Sequence, residues 1–292
     1  MPIYYPDILQ QATPAQPFSY DDRDVMLYAL GVGLGGADPL DPKELDFTYE
    51  KNLKVVPTAV TVLADQVVRK AKAQVPDGVR FSTWDMLKVL HGEQKVELHR
   101  PLPAEGHFTV ESKVVGAFDK GAQKGGLVVQ ETCWRDAAGE KVATLTTTLF
   151  ARGDGGFGGP TEGTPVPHQR PHRAADLSLD LRTRVDQALL YRLNGDRNPL
   201  HVDPDVARRA GFHAPILHGL CTYGLTCRAV LQGLLVYDAE SILSHEVRFT
   251  SPVYPGETIT VDMWRDGKVI SFEARVEARD TYVIRNGKTV LR

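Results

Sequence analysis

Two segments of the chain read alike at a fixed spacing, and this repeat limits the possible folds more than any other feature. VELHRPLPAEGHFTV runs from Val96 to Val110 and VRFTSPVYPGETITV from Val247 to Val261, so Val96 matches Val247, Pro101 matches Pro252 and Val110 matches Val261 at an offset of 151. Each segment reads as a strand, a proline-bearing turn and a second strand. Upstream, DVMLYALGVG (24 to 33) resembles DQALLYRLNG (186 to 195) with one insertion. Two matches in the same order argue for an internal duplication.

The boundary between the halves is ARGDGGFGGPTEGTPVPHQRPHRAA, residues 151 to 175, where glycine and proline cluster and hydrophobic periodicity disappears. Residues 1 to 150 then form an N-terminal domain, 151 to 175 a linker and 176 to 292 a C-terminal domain, as a chain of 292 residues allows. Each half contains a mostly apolar helix candidate, 58 to 74 in the first and 219 to 235 in the second. Alternating stretches follow each candidate, separated by AAGE, RDGK and RNGK, where Asp-Gly and Asn-Gly signal hairpins. A long helix wrapped by an antiparallel sheet, occurring twice, is an α+β arrangement.

The charge balance narrows the function. With 34 Lys and Arg against 37 Asp and Glu, the net charge is -3, and no long basic run offers a footprint for nucleic acid or an anionic membrane. Small-molecule chemistry is the better expectation. The three cysteines, Cys133, Cys221 and Cys227, form no CxxC pair and suit free thiols in a reducing compartment. The N-terminus lacks a signal-peptide pattern, no stretch approaches about 18 apolar residues, and GKTVLR is no peroxisomal address, so a cytoplasmic location is expected.

Gly31, Gly33 and Gly36 satisfy G-x-G-x-x-G, the dinucleotide fingerprint. That fingerprint needs a strand before it and a helix starting within it, whereas ADPLDP follows here and its prolines obstruct a helix. It reads as a loop.

The stretch YRLNGDRNPLHVDPDVARRAG, from Tyr191 to Gly211, is more informative. Pro199 disfavours helix at Asn198, and Asn194-Gly195 marks a turn, which leaves Asp196, Asn198 and His201 on irregular backbone. On a regular helix Asp196 and His201 would point about 140° apart, and on a strand to opposite faces. A broken backbone lets them converge. Asp203 as N-cap and Pro204 at the first helical position start a helix that ends near Gly211. Three readings fit the polar set: turn caps beside a structural histidine, a metal site with His201, Asp203, His213 and His218, or an acid/base pair. The metal spacing matches no standard zinc pattern. The acid/base reading gains from His218-Gly219 at the start of the second apolar helix, where unpaired N–H groups suit an oxyanion. Such a set fits addition of water across a double bond conjugated to a carbonyl.

These residues resemble the MaoC-like (R)-specific 2-enoyl-CoA hydratases, or hydratase 2, of the hotdog fold. YRLNGDRNPLH follows their signature, GFHAPILHGLCTYG and RGDGGFGG match as well, and the likeness covers essentially the whole chain. It is similar to two-hotdog forms, such as the hydratase part of peroxisomal multifunctional enzyme type 2. The resemblance implies a double hotdog in which Asp196 and His201 activate and deliver water, Asn198 positions them, and the Gly219 N–H binds the thioester oxygen. It implies a trans-2-enoyl-CoA substrate, an (R)-3-hydroxyacyl-CoA product, and no metal or redox cofactor. The N-terminal half lacks the Asp-x-Asn-Pro-x-His set after Tyr28, so it is expected to be catalytically silent and to accommodate acyl chain and CoA. His91, Gly92, Lys120 and Phe249 are the matching substrate-binding residues, with Arg197, Pro199 and Leu200 from the motif itself. For His91 and Lys120 a purely structural role is equally open, and for Phe249 core packing is the stronger reading. One chain supplies a pseudo-dimer, and a homodimer is the expected particle. A hotdog thioesterase and a non-catalytic acyl-CoA binding module remain as alternatives.

Overall fold

The computed structural model describes residues 3–36, 38–83 and 88–292. Five strands lie in the first half, β1 (Ala12–Tyr20), β2 (Val89–Leu98), β3 (Gly106–Asp119), β4 (Gly126–Arg135) and β5 (Lys141–Ala151). Five more follow in the second, β6 (Leu177–Arg182), β7 (Ile242–Phe249), β8 (Thr258–Asp266), β9 (Val269–Val276) and β10 (Thr281–Leu291). All join one sheet in the order β1-β3-β4-β5-β2-β7-β10-β9-β8-β6. Read inward from its two edges, the sheet repeats the same strand succession. The halves meet where β2 pairs antiparallel with β7, and the pair at the centre of that contact is Lys95 opposite Glu246. These two residues are themselves separated by the repeat offset of 151, so the duplication seen in the sequence is a pseudo-twofold axis in the fold.

The helices are α1 (Asp22–Gly31), α2 (Pro42–Thr48), α3 (Val60–Leu63), α4 (Asp65–Lys70), α5 (Gln187–Tyr191), α6 (Pro204–Arg209) and α7 (Gly219–Leu234). Helix α7 is the long one, proline-free and buried from Cys221 to Leu231. It packs against the second half's sheet and against the turn Pro57–Ala59 of the first. Tyr28 and Tyr191, matched in the repeat, face each other edge to face with centroids 6.1 Å apart in the shared core. The result is the α+β double hotdog implied by the resemblance. Residues 152–176, between β5 and β6, carry no helix or strand.

Two expectations fail. The helix expected over 58 to 74 is broken into a 3-10 turn at Pro57–Ala59, then α3 and α4, with Ala64 between them at φ -104° and ψ -4°. Thr58, Val60, Thr61 and Val62 crowd a helix at χ1, no side chain caps its start, and the polar residues from Asp65 onward offer no continuous apolar stripe. The Asn-Gly of RNGK is likewise no hairpin. Asn286 and Gly287 form an irregularity inside β10, where a Cβ on Gly287 would lie 2.3 Å from the Phe272 ring. The chain reverses between β9 and β10 at Glu277–Arg279, closed by Asp280 in the left-handed region at φ 45°.

Of the glycine pattern, Gly31 ends α1 while Gly33 and Gly36 lie in the loop after it, and that loop has a structural reason. Gly33 has φ +86°, and a Cβ there would lie 2.7 Å from Arg228 Nη1. Arg228 is buried on α7 and pairs at 3.0 Å with Glu44 of α2, which also accepts from Tyr237 Oη and from the Gly35 N–H. The loop wraps a buried ion pair that fastens the two halves together.

Candidate active site

The backbone between α5 and α6 breaks as its residues dictate. Tyr191 leads into a 3-10 turn at Arg192–Asn194, and Gly195 reverses the chain at φ 126°. Asn198 then caps a single 3-10 turn, Pro199–His201, its side-chain oxygen accepting the Leu200 N–H at 3.0 Å. Asp203 caps α6 by accepting from Asp205 and Val206, with Pro204 at the first position. Two irregular turns in succession bring Asp196 and His201 to one side of the segment.

One atom each of Asp196, His201 and His218 lies within 4.8 Å of the other two. His201 Nδ1 is 2.8 Å from the Ile216 carbonyl, and His218 Nε2 is 3.0 Å from the Asp196 carbonyl. A carbonyl can only accept, so both nitrogens carry protons. The neutral rings therefore keep His201 Nε2 and His218 Nδ1 as acceptors, and the buried His218 Nδ1 has no partner among the described residues. The two rings stack at 3.8 Å between centroids, and Tyr191 lies 5.0 Å from His218 on its other contact. Burial lowers the pKa of His201, and burial together with the neighbouring His201 brings His218 down to about 4. At neutral pH both rings are uncharged. Asp196 receives the Asn198 N–H on Oδ1 at 3.2 Å, while its Oδ2 lies 3.6 Å from Arg69 Nη2 of α4.

Helix α7 begins at this cluster, with His218 as its N-cap. The intrahelical bonds to His218 O start with Cys221 and Thr222, so the N–H groups of Gly219 and Leu220 precede them. A Cβ on Gly219 would lie 3.5 Å from the Phe249 ring, and that ring is 5.0 Å from the His91 imidazole. Gly219, Phe249 and His91 thus form one wall. It continues into a cavity of about 210 Å³ between the broken helix α3–α4 and the first half's sheet. Leu220, His91, Trp134, Leu145 and Leu149 line it together with Val60, Ala64 and Val68. The break that defeated the helix expectation opens this space. His91 borders the cavity half-buried, and desolvation pulls its pKa to about 4.

The structure therefore brings together Asp196, His201, Gly219, His91 and Phe249. Gly92 sits beside them at an irregularity of β2, where the pairing with β5 shifts between His91 and Glu93. Asn198 acts through its backbone N–H and as a turn cap, and Pro199 and Leu200 form the turn itself. Arg197 is exposed and contributes a carbonyl to Arg192. Lys120 donates to the Thr161 carbonyl at 3.3 Å in the segment between the halves. Of the metal set considered from sequence, Asp203 caps α6 and His213 packs on Tyr254 at 4.0 Å, so only His201 and His218 share a place. The donor atoms that could ligate an ion are those of Asp196, His201 and His218. Sequence reasoning missed the side chains of Asp65 and Arg69 and the anchoring role of His218. The available signal was an i,i+4 acid-base pair, Asp65 and Arg69, on a segment read as buried helix.

Comparison with known proteins identifies the family. The MaoC like domain model matches residues 166–286, and the MFE-2 hydratase 2 N-terminal domain model matches residues 18–153. The enoyl-CoA hydratase ChsH3 of Mycobacterium tuberculosis is 39% identical over 98% of this chain and 98% of its own. The 3-hydroxyacyl-thioester dehydratase Y of the same organism is 42% identical over 89% of this chain and 87% of its own. The crystal structure of a MaoC-like dehydratase from Phytophthora capsici superposes with a TM-score of 0.86 at 35% identity, covering 99% of both chains. The chain belongs to the MaoC-like dehydratase family, in the form that carries an MFE-2 hydratase 2 N-terminal domain ahead of the MaoC-like domain.

Proposed function

We propose that this chain hydrates trans-2-enoyl-CoA thioesters to (R)-3-hydroxyacyl-CoA and catalyses the reverse dehydration, with the C-terminal half active and the N-terminal half holding the acyl group. The observation that carries the reading is the convergence of Asp196 and His201 beside the free N–H groups at the start of α7. A water held between the Asp196 carboxylate and His201 Nε2 attacks C3 of the enoyl thioester and loses a proton to that pair. Negative charge develops on the thioester oxygen, to which the Gly219 N–H donates a hydrogen bond. A proton delivered to C2 completes the addition, so atoms balance with water as the only co-reactant. The buried, uncharged His201 is in the state needed to accept a proton at neutral pH.

The substrate runs from Gly219 past Phe249 and His91 into the cavity beneath the broken helix, with CoA as part of the substrate and no further cofactor in the scheme. Buried, unpaired Cys133, Cys221 and Cys227 support a reducing compartment, and we place the protein in the cytoplasm as a pair of chains. Among the described residues no helix is long and apolar enough to cross a membrane. Incubation with crotonyl-CoA tests the reading: loss of the conjugated enoyl absorbance without thiol release is expected. Thiol release without hydration would instead establish a thioesterase, and binding without turnover an acyl-CoA binding module.

A further inference from the structure

We propose that Arg69, clamped by Asp65, is a positioning residue for Asp196, so that the half lacking the acid/base motif nevertheless supplies part of the catalytic centre. This rests on the hydratase reading above. Helix α4 is in place because α3 ends at Leu63 and the chain restarts at Asp65. Asp65 and Arg69 then share a face one turn apart, with Arg69 Nε 2.5 Å from Asp65 Oδ2. The same guanidinium reaches across the boundary between the halves to Asp196 Oδ2 at 3.6 Å. A second contact holds the two segments in register: a Cβ on Gly195 would lie 3.0 Å from Gln66 Cγ, so α4 rests on the glycine preceding Asp196.

The arrangement fixes both oxygens of Asp196, Oδ1 by the Asn198 N–H and Oδ2 by Arg69. Arg69 thus stands between two carboxylates, Asp65 on its own helix and Asp196 across the boundary. Asp196 faces Asp65 and Arg69 from α4, His91 from β2, Tyr191 from α5, and His201 and His218 from its own half. Of these, only Asp65 and Arg69 form an ion pair with each other.

The test is the steady-state kinetics of crotonyl-CoA hydration in Arg69→Met, Arg69→Lys and Asp65→Asn. In Arg69→Met kcat falls several-fold while KM stays within about twofold, and Arg69→Lys recovers most of that loss. In Asp65→Asn the guanidinium keeps Asp196 but loses its clamp, and kcat falls less than in Arg69→Met. An unchanged kcat in Arg69→Met, or a loss that Arg69→Lys does not recover, overturns the proposal. A rise in KM alone also overturns it and makes Arg69 a substrate contact. A wild type with no hydratase activity defeats the function instead, and a double-variant cycle of Arg69→Met with Asp196→Asn in urea unfolding then tests the contact by itself: a coupling between the two supports it, and strict additivity overturns it.

Discussion

The imidazoles of His201 and His218 are stacked with their planes 28° from parallel, and each donates to a backbone carbonyl, His201 to Ile216 and His218 to Asp196. His218 thereby ties the backbone of Asp196 to the entrance of α7. His218→Phe keeps a ring against His201 but removes the donor to Asp196 O. We expect kcat to fall about tenfold, the usual worth of one buried hydrogen bond in a positioned site, with KM little changed. Steady-state kinetics on crotonyl-CoA decide this, and an unaltered kcat would assign His218 to packing alone.

Asp196→Asn and His201→Ala each remove one of the groups facing the water. Each should lower kcat/KM at least about 100-fold, the contribution of a positioned acid or base. Isothermal titration with a saturated acyl-CoA should show binding retained in both, which separates loss of chemistry from loss of the site.

Gly219→Ala places a methyl in ordinary contact with the Phe249 ring, at 3.5 Å. The fold should accept it with an unchanged Tm. The methyl stands beside the N–H proposed to donate to the thioester oxygen, so kcat/KM should fall about tenfold or more. Thermal denaturation and kinetics on the same sample distinguish the two effects.

The Arg228–Glu44 pair is buried, with 5% and 4% of the two side chains exposed. Glu44→Ala strands the Arg228 charge and should cost about 3 kcal/mol of stability. Arg228→Met combined with Glu44→Leu should recover much of that loss, as urea unfolding will show.

Burial lowers the pKa of His245 to about 3, and those of His91 and His218 to about 4. The unfolded chain binds protons at these sites from about pH 6.5 downward, whereas the folded chain resists until near pH 4. Stability is thus fully present above pH 6.5 and declines as pH falls, each such histidine contributing a slope of about 1.4 kcal/mol per pH unit. Urea midpoints at pH 7, 6 and 5 should fall in that order. His245→Gln should flatten the dependence.

The repeat, the linker and the motif were legible because they depend on local rules. An offset of 151 returned as Lys95 opposite Glu246, and Gly195 and Pro199 broke the backbone as their chemistry requires. What was not legible depends on tertiary context. The run at 219 to 235 remains one helix, whereas the run at 58 to 74 breaks; its β-branched start and its polar residues from Asp65 onward are weak local signs that its apolar composition outweighs. The break leaves a cavity between α3–α4 and the first half's sheet. Asn286-Gly287 signals a hairpin by composition, but the Phe272 ring pressing on Gly287 makes it an irregularity within β10. Contacts across the halves, such as Arg69 with Asp196 or Arg228 with Glu44, join residues over a hundred positions apart and leave no periodic trace.

Chiral analysis of the product from trans-2-enoyl-CoA tests the central claim most directly. Wild type should release the (R)-3-hydroxyacyl-CoA with CoA still esterified, and Asp196→Asn and His201→Ala should give almost none. Formation of the (S) epimer, release of free CoA, or full activity in either variant would contradict the assignment of Asp196 and His201 as the pair that delivers water.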